Sequence, residues 1–402
     1  MRNFFDPRGP LKPDELQDWF VPRPNSPIGR LRALLEEPAP DHPQKVLFTV
    51  HWGSGKSTEL VKLASEIGDR YFVVPFSVLD ITDIGDLDYV DVVVGMAAEV
   101  FRQATEHDVP VNKELLEDVY RFFAEEITEK TVEIERTGDI GLDLKIFVVK
   151  MEGKIKRESA SRQVFRERAR RRLSDLVEKL DLLVTEVQQH DGRPVLIVIE
   201  DLDKPDLAKA KELFYGHGSS LTAPHCNIIY TFPVALRYDN DFPVIRQGFS
   251  TFTLPNFSAR LRGGAEDTAG GRQLRQLVLS RAEERLFGEG ALNRLAEQSG
   301  GLPRQMALLV REASLYALAA GQKQISLQAV VSAALDEQKN YQVLLTPAQL
   351  ALLAEVHRTK KVVNDQAHRE LLHNLSILEY DTEVWYDVNP VIWPLLPPEG
   401  AP

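Results

Sequence analysis

Cysteine is nearly missing from this sequence: Cys226 stands alone among 402 residues. An internal disulfide is therefore excluded, and a cysteine-based metal cluster is equally implausible. A reduced, cytoplasmic compartment is the expectation. Long apolar runs are lacking as well, so no membrane span is expected. The N-terminal MRNFFDPRGPLKPDEL has no apolar core of the kind a secretory signal needs. Positive charge is not in excess either. The formal net charge is −12, and no global field draws the chain to nucleic acid or anionic lipid. There is no internal repeat, no long low-complexity tract and no nuclease or protease motif. Any further chemistry would then belong to a partner.

What is present suits a globular protein. The hydrophobic fraction is 43%, and the length suggests roughly two to three domains. After a Pro-rich start with one helix at 28–37, β-rich runs recur at 45–50, 71–78, 195–199, 227–232 and 250–254. Pro75 cannot donate to a ladder, which places the second run at a bend or an edge. VLIVI at 195–199 is apolar throughout, as a strand buried on both faces would be. Helical periodicity lies between these runs, at 57–67, 89–106 and 165–189. Alternating strands and helices predict an α/β fold with a parallel sheet covered on both faces.

The rhythm breaks twice. Between about 111 and 161, a helix at 113–126 and a polar β-rich stretch of one or two hairpins read as an insertion. It is either a partner surface or a small packed subdomain. Beyond Pro255 the pattern turns helical, with segments at 272–286, 291–298, 303–319 and 327–336. The last part, with helices at 346–357 and 364–375 and a β element at 383–388, has the order of a winged helix. The expected division is a core over 1–260, an α-helical lid over 261–340 and a winged-helix-like domain over 341–402.

The chemistry concentrates after the first strand, in Val50, His51, Trp52, Gly53, Ser54, Gly55, Lys56, Ser57 and Thr58. Strand, glycine turn and helix in that order form a phosphate-binding loop, or P-loop. Glycines let the backbone approach a ligand closely. Successive N–H groups then meet phosphate at the helix N-terminus. Lys56 would bridge the β- and γ-phosphates of ATP, and the Ser57 hydroxyl would ligate Mg²⁺. The motif G-x-x-x-x-G-K-[ST] has a glycine where this chain has Val50. Gly53 is left to supply the flexibility.

The apolar run at 195–199 ends in Glu200, Asp201, Leu202, Asp203 and Lys204. Paired carboxylates at a buried strand end suit Mg-ATP hydrolysis: one for the metal, the next for the attacking water. By order, Glu200 takes the metal role and Asp201 the base role. Asp usually comes first, so the roles are open to exchange. Asp203 either caps the next helix or serves a neighbouring site.

HWGSGKST, VLIVIED and a helical lid together resemble the AAA+ and STAND-type ATPases. SGGLPRQMALLVREA is similar to the sensor-2 region of origin-recognition-type AAA+ proteins, and EDLDK to the DDLDR stretch of KAP-type NTPases. The likeness spans roughly residues 20 to 335. It implies that Arg304 contacts the γ-phosphate from the lid, the alternative being a surface arginine. A cation at a helix start is disfavoured by the macrodipole, which supports a ligand role. It places Thr231 as a sensor of the attacking water, or as a buried strand threonine. Arg237 would be a sensor, an arginine finger or a surface residue. Phe20, Val21 and Pro22, with Arg23 nearby, would line an adenine pocket or form a hydrophobic strap.

Two features bear on partners. Arg162, Arg166, Arg168, Arg170, Arg171 and Arg172 cluster on one helix and would bind nucleic acid or an acidic partner. Glu167, Asp175 and Glu178 offer local ion pairs, so a solvated charged helix is the default. The tail has an acidic wing (Glu379, Asp381, Glu383, Asp387) and an aromatic end, which favours protein contact over DNA. Three functions follow: an ATP-hydrolysing switch or assembly factor that associates with itself or a partner protein, a DNA-associated ATPase, and a non-hydrolysing nucleotide scaffold.

Overall fold

The computed structural model describes residues 5, 9–23, 25–37, 42–112, 114–115, 159–264, 268–380 and 384–398. The helix and hairpins expected at about 111–161 lie largely outside the described residues, as do Asp381 and Glu383 of the expected wing.

The five β-rich runs form β1 (Lys45–Val50), β2 (Phe72–Ser77), β3 (Val195–Glu200), β4 (Asn227–Pro233) and β5 (Ser250–Thr253). They make one parallel sheet in the order β2-β3-β4-β1-β5. Pro75 sits on β2, at the sheet's edge, where its missing N–H costs no ladder bond. β1, β3 and β4 are interior, and their side chains are buried almost throughout. This is why they read as unbroken apolar runs.

Helices α1 (Ile28–Glu36) and α2 (Lys56–Ile67) pack on one face of the sheet through Leu31, Leu60 and Leu63. The other face is covered by α3 (Tyr89–Glu106) and α5 (Leu173–Asp191), with α4 (Ser159–Arg171) beside them. The fold class is therefore α/β, as the alternation predicts. One expectation needs correcting. The helix expected at 165–189 is two helices, because Arg172 leaves helical geometry at φ −121°, ψ 29°. The break lets α4 turn its arginines onto the start of α3.

The helical segment after β5 comprises α6 (Thr268–Leu279), α7 (Ala291–Gln298), α8 (Pro303–Ala319) and α9 (Leu327–Leu344) around a separate core. α6 stops seven residues before the predicted 286, and a 3-10 turn at Glu284–Leu286 follows it. α9 runs on past 336 because nothing breaks it until Pro347, which forces Thr346 to extended geometry.

The chain ends in α10 (Pro347–Thr359), α11 (Gln366–His373) and an antiparallel hairpin of β6 (Ile377–Tyr380) and β7 (Trp385–Val388). That is the helix–helix–hairpin order of a winged-helix-like unit. Among the described residues, no helix is long and apolar enough to cross a membrane.

Candidate functional site

In a parallel sheet the C-terminal strand ends share one edge, and ligands bind outside it. Here the ends of β1, β2 and β3 meet there. Gly53 and Gly55 both have positive φ, 82° and 90°, a conformation that favours glycine. A side chain at either would also crowd its neighbours: a Cβ on Gly53 would lie 3.1 Å from Arg304 Cβ, and one on Gly55 3.0 Å from Arg23 Nη2. The strand exit itself needs no glycine, since Val50 stays in the ladder opposite Pro233.

Lys56 opens α2 and is buried. Its Nζ lies 3.0 Å from the Asp203 carboxylate and 3.6 Å from Asp201 Oδ1. Burial works against its charge, but Asp203 and Asp201 together hold its pKa above the ordinary lysine value. Glu200 accepts a hydrogen bond from the Ser57 side chain, and burial pushes its pKa up. Asp201 behaves in the opposite way. Burial would raise it, yet Lys204, Lys56 and Ser77 outweigh burial and hold it below the usual aspartate value. Ser77 Oγ donates to Asp201 Oδ2 at 2.7 Å, and Lys204 Nζ stands 2.9 Å from Oδ1. Asp201 has φ 69°, a left-handed backbone rare for a residue with a side chain. Neighbouring carboxylates thus occupy different electrostatic states.

The start of α8 packs against the loop. Arg304 at the start of α8 donates its backbone N–H to the Gly53 carbonyl at 3.2 Å. Its guanidinium lies 5.0 Å from the centre of the Trp52 ring, itself 46% exposed. Burial lowers the Arg304 pKa, opposed by Asp201 and Asp203. From the N-terminal strap, Arg23 donates to Glu59 Oε1 at 3.1 Å, to the Pro255 carbonyl at 2.6 Å and to the Ser54 carbonyl. It lies 4.2 Å over Phe257, and burial lowers its pKa to about 10.

These elements enclose a cavity of about 480 Å³. Trp52, Gly53, Gly55, Lys56, Ser57 and Thr58 line it, with Glu200, Asp201, Arg304 and Val21. Trp19, Phe20, Val21 and Leu277 also line it, with Arg281 5.3 Å over the Trp19 ring. Several of the residues singled out in the sequence, Pro22, Ser54, Thr231, His51 and Arg237, do not line it. The Ser54 side chain is buried. Thr231 Oγ1 accepts from the Leu202 N–H at 3.0 Å, which holds the turn after β3 in place. His51 is buried and accepts from the Glu379 N–H. Arg237 is engaged by Glu379 at 2.9 Å.

Sequence reasoning missed Ser77, Lys204 and Glu59 and left Asp203 undecided. For Ser77 a signal existed, because it ends a strand of the same parallel sheet. Ser57 and Glu200 supply hard oxygen donors side by side, which fits a magnesium ion shared with phosphate. No group of three or more His, Cys, Asp or Glu side chains able to hold a metal alone is found among the described residues.

The arginine-rich helix is a correction to the expected pattern of local pairs. Arg166 is buried and donates to Asp91 Oδ1 at 3.1 Å and Asp86 Oδ1 at 2.8 Å. Arg170 pairs with Asp88, and Arg172 takes a partner on the neighbouring turn, Asp175 at 2.9 Å. The Arg162 side chain lies outside what is described.

No family model matches the chain, and no curated protein does. Solved structures with a similar fold include the Aeropyrum pernix ORC2 protein in its ADPNP–ADP complexes. It is 12% identical, with a TM-score of 0.43, covering 98% of this chain and 94% of that one. Drosophila ORC bound to DNA is 12% identical with a TM-score of 0.42, over 98% and 90%. The A. pernix ORC1 protein in complex with DNA is 15% identical with a TM-score of 0.40, over 94% of each. These are distant likenesses of fold.

Proposed function

We propose that this chain binds ATP with Mg²⁺ and hydrolyses it, acting as an AAA+/STAND-like switch or assembly factor for a partner protein or further copies of itself. One observation supports this most: Lys56, Ser57, Glu200, Asp201 and Arg304 line one cavity, together with the aromatic side chains of Trp19 and Phe20. The loop N–H groups and Lys56 would hold the phosphates. Ser57 and Glu200 would hold Mg²⁺, which neutralises phosphate charge when bound. Asp201 is the carboxylate kept ionised. As an ionised acceptor it is suited to orient a water on a carboxylate oxygen. In the base role it would receive that water's proton as the bond to phosphorus forms, although its lowered pKa makes it a weak base. Arg304 joins the cavity to α8, so phosphate contact there would set the angle between core and lid. The base would lie among Trp19, Phe20, Val21 and Leu277.

The test is a Mg·ATP titration with Lys56→Ala. The variant should bind about a hundredfold more weakly, the ~2.7 kcal/mol of a charged hydrogen bond. Undiminished binding and turnover would overturn the reading. The switch part is tested by the mass of the particle with and without ATP. A strict monomer in both states, with no co-purifying chain, would remove it.

A further inference from the structure

His51 ends the rigid part of the phosphate strand. Before it, Val50 is buried and held in the ladder; after it, the glycine turn begins. Only 3% of His51 is exposed, and it is not among the residues that line the nucleotide cavity. Nε2 accepts from the Glu379 N–H of β6 at 2.8 Å. A ring nitrogen that accepts carries no proton, so the proton is on Nδ1. Nδ1 makes no fully formed hydrogen bond, and the group it faces is the backbone of Leu372 in α11. Burial lowers the pKa of His51 to about 3, which keeps the ring neutral. One side chain of the loop is thus seated between the last helix and the first strand of the C-terminal unit.

That seat is itself braced. The Glu379 carboxylate receives Arg237 Nη1 at 2.9 Å and the Tyr238 hydroxyl at 2.5 Å. Its carbonyl receives Asn256 Nδ2 at 3.1 Å. Next along β6, the Tyr380 hydroxyl donates to the Gly300 carbonyl at 2.9 Å. Three residues later α8 begins, and Arg304 reaches the Gly53 carbonyl. The contacts close a circuit from His51 through β6 and Gly300 to Arg304 and back to the loop at Gly53. The loop is gripped from behind by the hairpin and from above by the lid, two residues apart.

We infer that His51 is a positioning residue through which the C-terminal hairpin and the nucleotide site set each other's state. The inference rests on the nucleotide reading above. Coupling of this kind is reciprocal: if nucleotide tightens the docking of β6, docking tightens nucleotide binding by the same factor.

The test uses the full chain and Mg·ATP, reading both affinity and backbone hydrogen exchange at Ile377–Tyr380. In the parent, Mg·ATP should slow exchange in β6. His51→Ala should abolish that response and weaken binding about tenfold, within the usual range of such couplings. His51→Gln, whose carbonyl can accept from the Glu379 N–H, should restore most of both. Asn256→Ala loosens the hairpin without touching the loop and should act in the same direction, more weakly. If His51→Ala fails to fold, Asn256→Ala decides alone. A parent that binds Mg·ATP while these variants bind within twofold of it and keep the exchange response overturns this inference only. A parent that does not bind overturns the nucleotide reading itself.

Discussion

The acidic end of β3 and the arginine-rich helix α4 are alike in sequence, each a short run of mostly one charge. Their fates in the fold differ. Glu200 and Asp201 look onto a cavity, and the cations beside them, Lys56, Lys204 and Arg304, look onto it too. Arg166 instead lies buried between Asp86 and Asp91, and Arg170 leans on Asp88. In the first cluster the charges meet across a space that a ligand can enter. In the second they are spent on each other, joining α4 to the start of α3. A run of charge therefore says little about binding until its partners are known.

The sharpest way to break this comparison is to remove Arg166. Burial opposes its charge, but Asp91 and Asp86 together hold its pKa above the ordinary arginine value. Arg166→Ala would strand Asp91, which is 1% exposed, without its cation. The expected loss is about 3–5 kcal/mol in denaturant unfolding. Mg·ATP affinity, measured below the unfolding transition, should stay within twofold. A loss under about 1 kcal/mol would mean the cluster is not structural.

At the other cluster the expected effect is on rate. Asp201→Asn keeps the shape and removes the ionised carboxylate. Turnover should fall at least about a hundredfold, with Mg·ATP still bound. Turnover unchanged in this variant would take Asp201 out of the hydrolytic role, and a parent that binds Mg·ATP without turnover would move the chain to the non-hydrolysing scaffold. The first outcome would also make the two clusters alike in being merely structural.

Much of this was legible in the sequence. The five strands, the strand–glycine–helix order around Lys56 and the carboxylates after VLIVI all carry local signals, because burial and turn geometry are written in neighbouring residues. Partner choice is not. Lys56 meets Asp203, Ser77 meets Asp201, Arg23 meets Glu59 and His51 meets Glu379 across dozens to hundreds of positions. Periodicity reports which face a residue takes, not what waits on it. The arginine helix shows the cost most clearly. A search for partners three or four residues away finds Asp175 for Arg172, but the decisive acids lie some eighty residues upstream.

The smallest effect is the most discriminating within α4 itself. Arg170 belongs to the same run and the same acidic segment as Arg166, but its side chain is 44% exposed. Its partner Asp88 does not depend on it, since Asp88 also caps α3 by accepting from the Val90 N–H at 3.0 Å. Removing Arg170 leaves a carboxylate that is still hydrogen-bonded and can reach water through the vacated space. Arg170→Ala should therefore cost only ~0.5 kcal/mol. That difference should shrink further at high salt, where exposed pairs are screened. The Arg166→Ala loss should persist there, because solvent ions do not reach a buried pair. If both variants lose the same stability and respond to salt alike, then burial is not what separates them.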